Sequence, residues 1–351
     1  MIVKVILGVV ISAMMQIAGA ATHALLVGVS GYPGLPERYR LRGPANDVAL
    51  VRLALRQVGV PVSQIQVLAD GVDGSIGLPT RANILDAIAA LAHRARRGDW
   101  VVVLLAGHGS QQPQSRARRT VGGTYVEPDG LDEVFLPYDV TDWRGELGSM
   151  GNIIIDDDLG AAISRLTRAG LNVWLVFDTC HAGDMAKGSR LPGRDRMIRY
   201  VPPGLLGVPS PQPQVLADRD IDRREITRRL LSPTGQGDGK LVVFSASQAD
   251  EPAAEEVLPV PDWANRPLNG RTELRFGMFS YQIALALPAW KGAFADLVRT
   301  LDQVYRRRPF PTPVFEGALD EIISLPNGVQ IHRDQVRRGR ADIDVNPRVS
   351  R

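Results

Sequence analysis

The sequence predicts an α/β fold on a mainly parallel central sheet, and three observations carry that prediction. Residues 100–105 (WVVVLL) and 173–177 (VWLVF) are unbroken apolar runs, the mark of strands buried on both faces of a parallel sheet. Shorter apolar runs alternate with segments of helical periodicity, the order of parallel strands joined by crossover helices. Both long runs stop abruptly in polar chemistry. Ala106-Gly107-His108-Gly109-Ser110 follows the first and Asp178-Thr179-Cys180-His181 the second. In open α/β sheets reactive groups collect just beyond the carboxyl ends of strands.

In chain order, residues 1–21 come first. Lys4 is followed by an apolar stretch, then by Ala18-Gly19-Ala20, small residues suited to a cleavage site. This is the pattern of a secretory signal peptide, and the apolar part is short for a membrane anchor. The expected product is periplasmic or secreted, with no membrane association after cleavage. Residues 23–30 (HALLVGVS) are the first strand, and 31–42 a Gly/Pro loop. Val48, Val51, Leu55 and Val58 set a helix over 46–58. Residues 65–68 form a short strand. Thr80 caps a helix that buries Ile84, Ile88 and Leu91.

After the His108 strand, residues 111–130 are polar and basic, as a surface loop would be, and 133–137 are a short apolar piece. Asp156, Asp157 and Asp158 suit a helix N-terminus, and that helix runs to about Arg168. Residues 186–239 are rich in Arg and Pro with a Gly-rich end, which predicts a long mobile linker with one helix near 222–231. Residues 241–245 (LVVFS) are a strand, 278–287 and 294–305 helices, and 310–316 an extended piece. The chain after Pro326 is basic and poorly ordered.

The bulk numbers narrow the function. A net charge of +3 gives no footing to a general nucleic-acid-binding role. Cys180 is the single cysteine, so an exported chain has no internal disulfide, and a lone thiol in an oxidising compartment is a liability unless it is used. A thiol becomes a strong nucleophile beside an imidazole. His108 and Cys180 are therefore the candidate dyad, brought together only by the fold. His181, next to Cys180, points to the other side of an extended backbone. The backbone N–H groups of Gly109 and Cys180 are candidate oxyanion donors, although the glycines flanking His108 also serve turn geometry.

The motifs HALLVGVSGY, LRGPANDV, PTRANILDAI, RRGDWVVVLLAGHGSQ, DGLDEVFLPYDV, IIIDDDL and VFDTCHAGD resemble those of caspase-fold cysteine peptidases, and of bacterial metacaspases in particular. LVVFSASQADEPAAE, GMFSYQIALAL and PTPVFEG resemble the smaller C-terminal part of such enzymes. The resemblance implies a three-layer α/β/α sandwich. Residues 22–185 would be the large part with the dyad, 186–239 the linker, 240–325 the small part and 326–351 a tail. It also implies cleavage after Arg or Lys, with Asp47 and Asp178 in the pocket for the basic side chain. Asp178 lies two residues before Cys180 and shares its side of the strand, while Asp47 has helix capping as its alternative. Where such enzymes often carry Cys and Ser, this chain has Pro44 and Ala106, so a less polar pocket is expected.

Asp132, Asp156 and Asp157 form an acidic set, and the resemblance implies calcium as a stimulant that the chemistry itself does not require. Complementing a helix dipole is the other account of the Asp triplet. A further Asp usual downstream of the cysteine motif is missing, since Ala186 and Lys187 stand there. The expectation is thus an exported cysteine endopeptidase acting on protein or peptide substrates with Arg or Lys before the cut, and self-cleaving in the linker. A silent caspase-fold scaffold and a Cys/His hydrolase of non-peptide acyl groups are the alternatives. The sequence does not fix the oligomeric state.

Overall fold

A computed structural model of the chain describes residues 20–114, 131–180, 196–209, 238–248, 251–264, 268, 270–307 and 311–323. The apolar N-terminal segment up to residue 19, His181, the helix expected near 222–231 and the C-terminal tail lie outside the described residues. Among the described residues, no helix is long and apolar enough to cross a membrane.

The chain opens with β1 (Thr22–Gly28), α1 (Gly43–Gln57), β2 (Ile65–Ala69), α2 (Arg81–Arg94) and β3 (Trp100–Ala106). Next come β4 (Gly109–Pro113), β5 (Leu131–Phe135), β6 (Thr141–Arg144), β7 (Ser149–Gly151), β8 (Ile154–Ile155), α3 (Asp156–Arg168) and β9 (Asn172–Asp178). The remainder is β10 (Met197–Ile198), β11 (Leu241–Ser245), β12 (Ala254–Pro259), β13 (Glu273–Gly277), α4 (Met278–Ala286), α5 (Phe294–Tyr305) and β14 (Val314–Gly317).

Six strands form the central sheet in the order β14-β11-β9-β3-β1-β2. All pair in parallel except β14, which closes the edge antiparallel to β11. The protein is thus an α/β fold around a mainly parallel sheet. Alternation along each strand divides the core in two. Val173, Leu175 and Phe177 of β9 join Ile84, Ile88, Leu91, Leu159, Ile163 and Leu166 of α2 and α3 on one face. Trp174 and Val176 join α1, α4 and α5 on the other. There Trp174 meets Phe244, Trp290 and Phe294 with ring centroids 5.3–5.4 Å apart, within the range of favourable aromatic pairs.

Three local readings need correction. α1 starts at Gly43, ahead of the periodic apolar residues, because Pro44 sits in its first turn, where a missing N–H costs nothing. The polar stretch after Gly109 begins as strand β4, paired antiparallel with β5. Two of its buried polar side chains find partners: Ser110 Oγ donates to the Val201 carbonyl, and Gln112 Oε1 accepts from Ser149 Oγ and Met150 N–H. Residues 196–209, assigned to a mobile linker by composition, are packed. Met197–Ile198 is strand β10, and Val201 and Leu206 lie in the second core. The hairpin β12–β13 was not visible in the pattern at all, since AEEVLP alternates poorly.

Candidate active site

β3 and β9 are adjacent, with Ala106 opposite Asp178. Their in-register ends bring His108 and Cys180 to one edge of the sheet. Both are buried, His108 1% exposed and Cys180 0%. A Cβ on Gly109 would collide with the Cys180 carbonyl, and one on Gly107 would come within 2.8 Å of the Tyr32 hydroxyl. The glycines flanking His108 thus let two strand ends and a tyrosine close on one point.

The imidazole is fixed by two tyrosines. Its backbone N–H donates to Tyr32 Oη at 2.7 Å, and the Tyr32 ring lies 4.9 Å from the imidazole centroid. Its Nε2 lies 2.7 Å from the Tyr39 carbonyl oxygen. A carbonyl only accepts, so Nε2 carries the hydrogen and Nδ1 is the basic nitrogen of the neutral ring. Nδ1 is buried and has no hydrogen-bond partner among the described residues. Burial lowers the ring's pKa to about 4; the Tyr39 hydrogen bond opposes this and the Arg199 charge adds to it. The Cys180 thiol donates to the Glu251 carbonyl at 3.3 Å.

Arg199 fills the space beside this pair. Its carbonyl oxygen accepts from Gly109 N–H at 3.0 Å and from Cys180 N–H at 3.4 Å. Its own N–H donates to the Ala253 carbonyl at 3.0 Å, continuing the antiparallel pairing of β10 with β12. Beyond it, Tyr200 bridges to Gly109, Val201 N–H donates to the Gly109 carbonyl at 3.0 Å, and the Val201 carbonyl accepts from Ser110.

The Arg199 side chain is fully buried among three carboxylates. One terminal nitrogen pairs with Asp47 and lies 3.8 Å from Glu255 Oε2; the other is 3.2 Å from Asp178 Oδ1 and 2.9 Å from the Asp178 carbonyl oxygen. Backbone N–H groups hold the acids in place. Gly277 N–H donates to Asp47 and Ser280 N–H to Asp178, each at 2.8 Å. Arg42 and Gly43 N–H, at the start of α1, donate to Glu255 at 3.1 and 2.8 Å. The N-termini of α1 and α4 therefore converge on the pocket, where their dipoles favour negative charge.

Burial alone would lower the Arg199 pKa, but Asp178, Asp47 and Glu255 outweigh it and hold the guanidinium above its ordinary value. Asp47 is pushed up to about 8, by burial first and then by Asp178, against the pull of Arg199. Two cations, Arg199 and Arg275, face three carboxylates, so a raised carboxyl is the physical expectation.

Residues 22–188 match the family model described as "Metacaspase, peptidase C14 domain". Over this stretch the chain is similar to the metacaspase peptidase domain. It is 36% identical over 165 residues to Metacaspase-1 of Candida albicans and 34% over 161 residues to Metacaspase-1B of Aspergillus oryzae. Each match covers 46% of this chain, and 33% and 34% of the relatives, so the chain spans about a third of their length. A crystal structure of a Geobacter sulfurreducens protein superposes with a TM-score of 0.54 at 18% identity, covering 86% of this chain and 97% of that one, a likeness of fold.

The fold gathers His108, Gly109, Cys180, Asp47 and Asp178 around Arg199. The less polar pocket expected from Pro44 and Ala106 is not found, because Glu255 adds a third carboxylate from β12. Glu255 had no motif to announce it; its signal is a pair of acids in a short strand beside the sheet edge. Tyr32, Tyr39 and Arg199 were also missed. Asp132 lies on β5, whose partner β8 leads directly into Asp156 and Asp157 of α3. Asp158, next in line, is taken by Arg81 at 2.7 Å. Among the described residues no group of three or more His, Cys, Asp or Glu is arranged to hold a metal ion.

Proposed function

We propose that the chain is an exported cysteine endopeptidase that hydrolyses the peptide bond after Arg or Lys, and that it cuts itself within 186–239, after Arg199. One observation carries the reading. A basic side chain sits among three buried carboxylates while its own carbonyl oxygen accepts two backbone N–H groups next to the only thiol. Those two donors are the oxyanion pair that acyl transfer requires. A backbone held as a paired strand favours a peptide over a small acyl group, and an intact dyad disfavours a silent scaffold.

In this reading His108 Nδ1 takes the thiol proton, and Cys180 Sγ attacks the carbonyl carbon. The oxygen becomes an oxyanion held by Gly109 and Cys180 N–H. Collapse breaks the C–N bond, and the leaving amine takes the proton from His108. Water, giving its proton to His108, then attacks the thioester and releases the carboxylate and the thiol. The Tyr39 carbonyl keeps the ring in the tautomer with Nδ1 basic. A desolvated, weakly basic imidazole returns its proton readily, and such acid–base help is worth about 10²–10⁴-fold in rate.

Export rests on the apolar N-terminal pattern with small residues at its end. Calcium stimulation, through Asp132, Asp156 and Asp157, is a separable part of the reading and supplies no chemical step. A fluorogenic peptide panel tests the core of it. Arg and Lys before the cut should be hydrolysed and Asp ignored; a preference for Asp overturns the reading. The same panel in excess chelator and in millimolar calcium tests stimulation, and equal rates leave the acidic set as helix capping.

A further inference from the structure

We infer that the cleft also selects a basic residue at the fourth position before the cut, read by Glu256, so that the substrate class is Arg-X-X-Arg. The inference rests on the proposed cleavage after Arg199 and deepens it.

The register of the bound strand is unambiguous. Met197 lies opposite Glu255 and Ile198 opposite Ala254, and Arg199 N–H bonds the Ala253 carbonyl. One step back, Arg196 falls opposite Glu256. There Arg196 Nε meets Glu256 Oε1 at 2.6 Å, with side chains only 27% and 19% exposed. Directly opposed residues of opposite charge are the pairs that antiparallel strands stabilise.

Alternation along β12 separates the two acids. Glu255 faces the buried guanidinium of Arg199, while Glu256 projects to the other face and takes Arg196. Two neighbouring glutamates thus serve two different arginines of one bound segment, RMIR. Between them Met197 and Ile198 are half-buried, which leaves the middle positions tolerant. After the cut, Tyr200 and Val201 are buried, Val201 completely. The segment from Arg196 to Val201 is therefore the enzyme's own first substrate. The Arg199 C–Tyr200 N bond is broken through the Cys180 thioester, and water supplies the new carboxylate.

The test uses full-length protein and peptides RMIRYV and AMIRYV. Wild type should cut the Arg peptide with kcat/KM on the order of tenfold higher, the scale of a partly desolvated charge pair. In Glu256→Arg the preference should invert toward EMIRYV. Intact mass should show a fragment beginning at Tyr200, formed more slowly in Arg196→Ala. Equal rates on RMIRYV and AMIRYV, or a Glu256→Arg enzyme with unchanged ranking, overturn the inference and leave the cleavage reading standing. No cleavage of any Arg peptide, with no Tyr200 fragment, overturns both.

Discussion

β9 and the segment from Arg196 to Val201 lie side by side at the active cleft and are buried for opposite reasons. β9 is buried by its own composition: Val173 through Phe177 are apolar, and each face meets a helix layer. The other segment is buried by charge. Arg199 is 0% exposed because Asp47, Asp178 and Glu255 surround it, and these come from α1, β9 and β12. Apolar burial is a property of a stretch of sequence, whereas burial of a cation is a property of partners far away in the chain.

The largest effect that sharpens the contrast is chemical. Cys180→Ala should lower turnover by about 10⁴-fold or more, the cost of removing a nucleophile. The melting temperature should stay near that of wild type, because only a sulfur atom leaves the core. Residual activity near wild type, measured on the purified variant, would place the nucleophile elsewhere.

Arg199→Ala, made in the Cys180→Ala protein so that no cutting intervenes, should come next. Removing one partner of a buried ion cluster costs about 3–5 kcal/mol, since the remaining charges stay desolvated. Trp174→Ala should cost a similar amount through the cavity it leaves. The two losses separate on acidification. Without Arg199, Asp47 loses the charge that pulls its already raised pKa down, so the deficit is largest above its folded-state pKa and shrinks as pH falls and the carboxyl takes a proton. The Trp174 deficit should not move with pH. Denaturant titrations of both variants at pH 5 and pH 8 distinguish the two kinds of burial, and parallel shifts would deny the charge account.

This contrast also explains what the sequence made legible. Of the helices with plain 3.6-residue periodicity, α5 matches its expected bounds and α2 starts directly after its expected cap, Thr80. The meeting of His108 and Cys180 at one sheet edge was legible because each ends an apolar run. Asp47 and Asp178 were legible through family motifs. Arg199 was hidden among eight other arginines between residues 186 and 239, because nothing local distinguishes a buried arginine from a solvated one. Glu255 was hidden for the same reason, as its role exists only once β12 lies beside α1. The packing of residues 196–209 was hidden by Arg and Pro content, although Met197, Ile198, Tyr200 and Val201 supply apolar atoms for it.

The smallest effect concerns His108 itself, the polar group that the apolar side of the comparison encloses. Its folded pKa, about 4, lies below the ordinary value of 6.5 because burial disfavours the imidazolium. The unfolded chain therefore binds a proton that the folded chain refuses between these values. Stability falls as pH drops from about 6.5 to about 4, with a slope on the order of 1 kcal/mol per pH unit, and levels off below. Asp47 works in the opposite direction. Its folded pKa, about 8, lies above the ordinary 3.8, so lowering the pH from 8 toward 4 favours the folded state. The two slopes offset each other in the intact protein between about pH 6.5 and 4, and variants separate them. His108→Gln in the Cys180→Ala background should remove the acid loss and leave the Asp47 gain, so its stability should rise from pH 8 down to pH 4. A His108→Gln profile parallel to its parent across that range would mean that the imidazole keeps its ordinary pKa in the folded protein, and burial would then not be what sets its basicity.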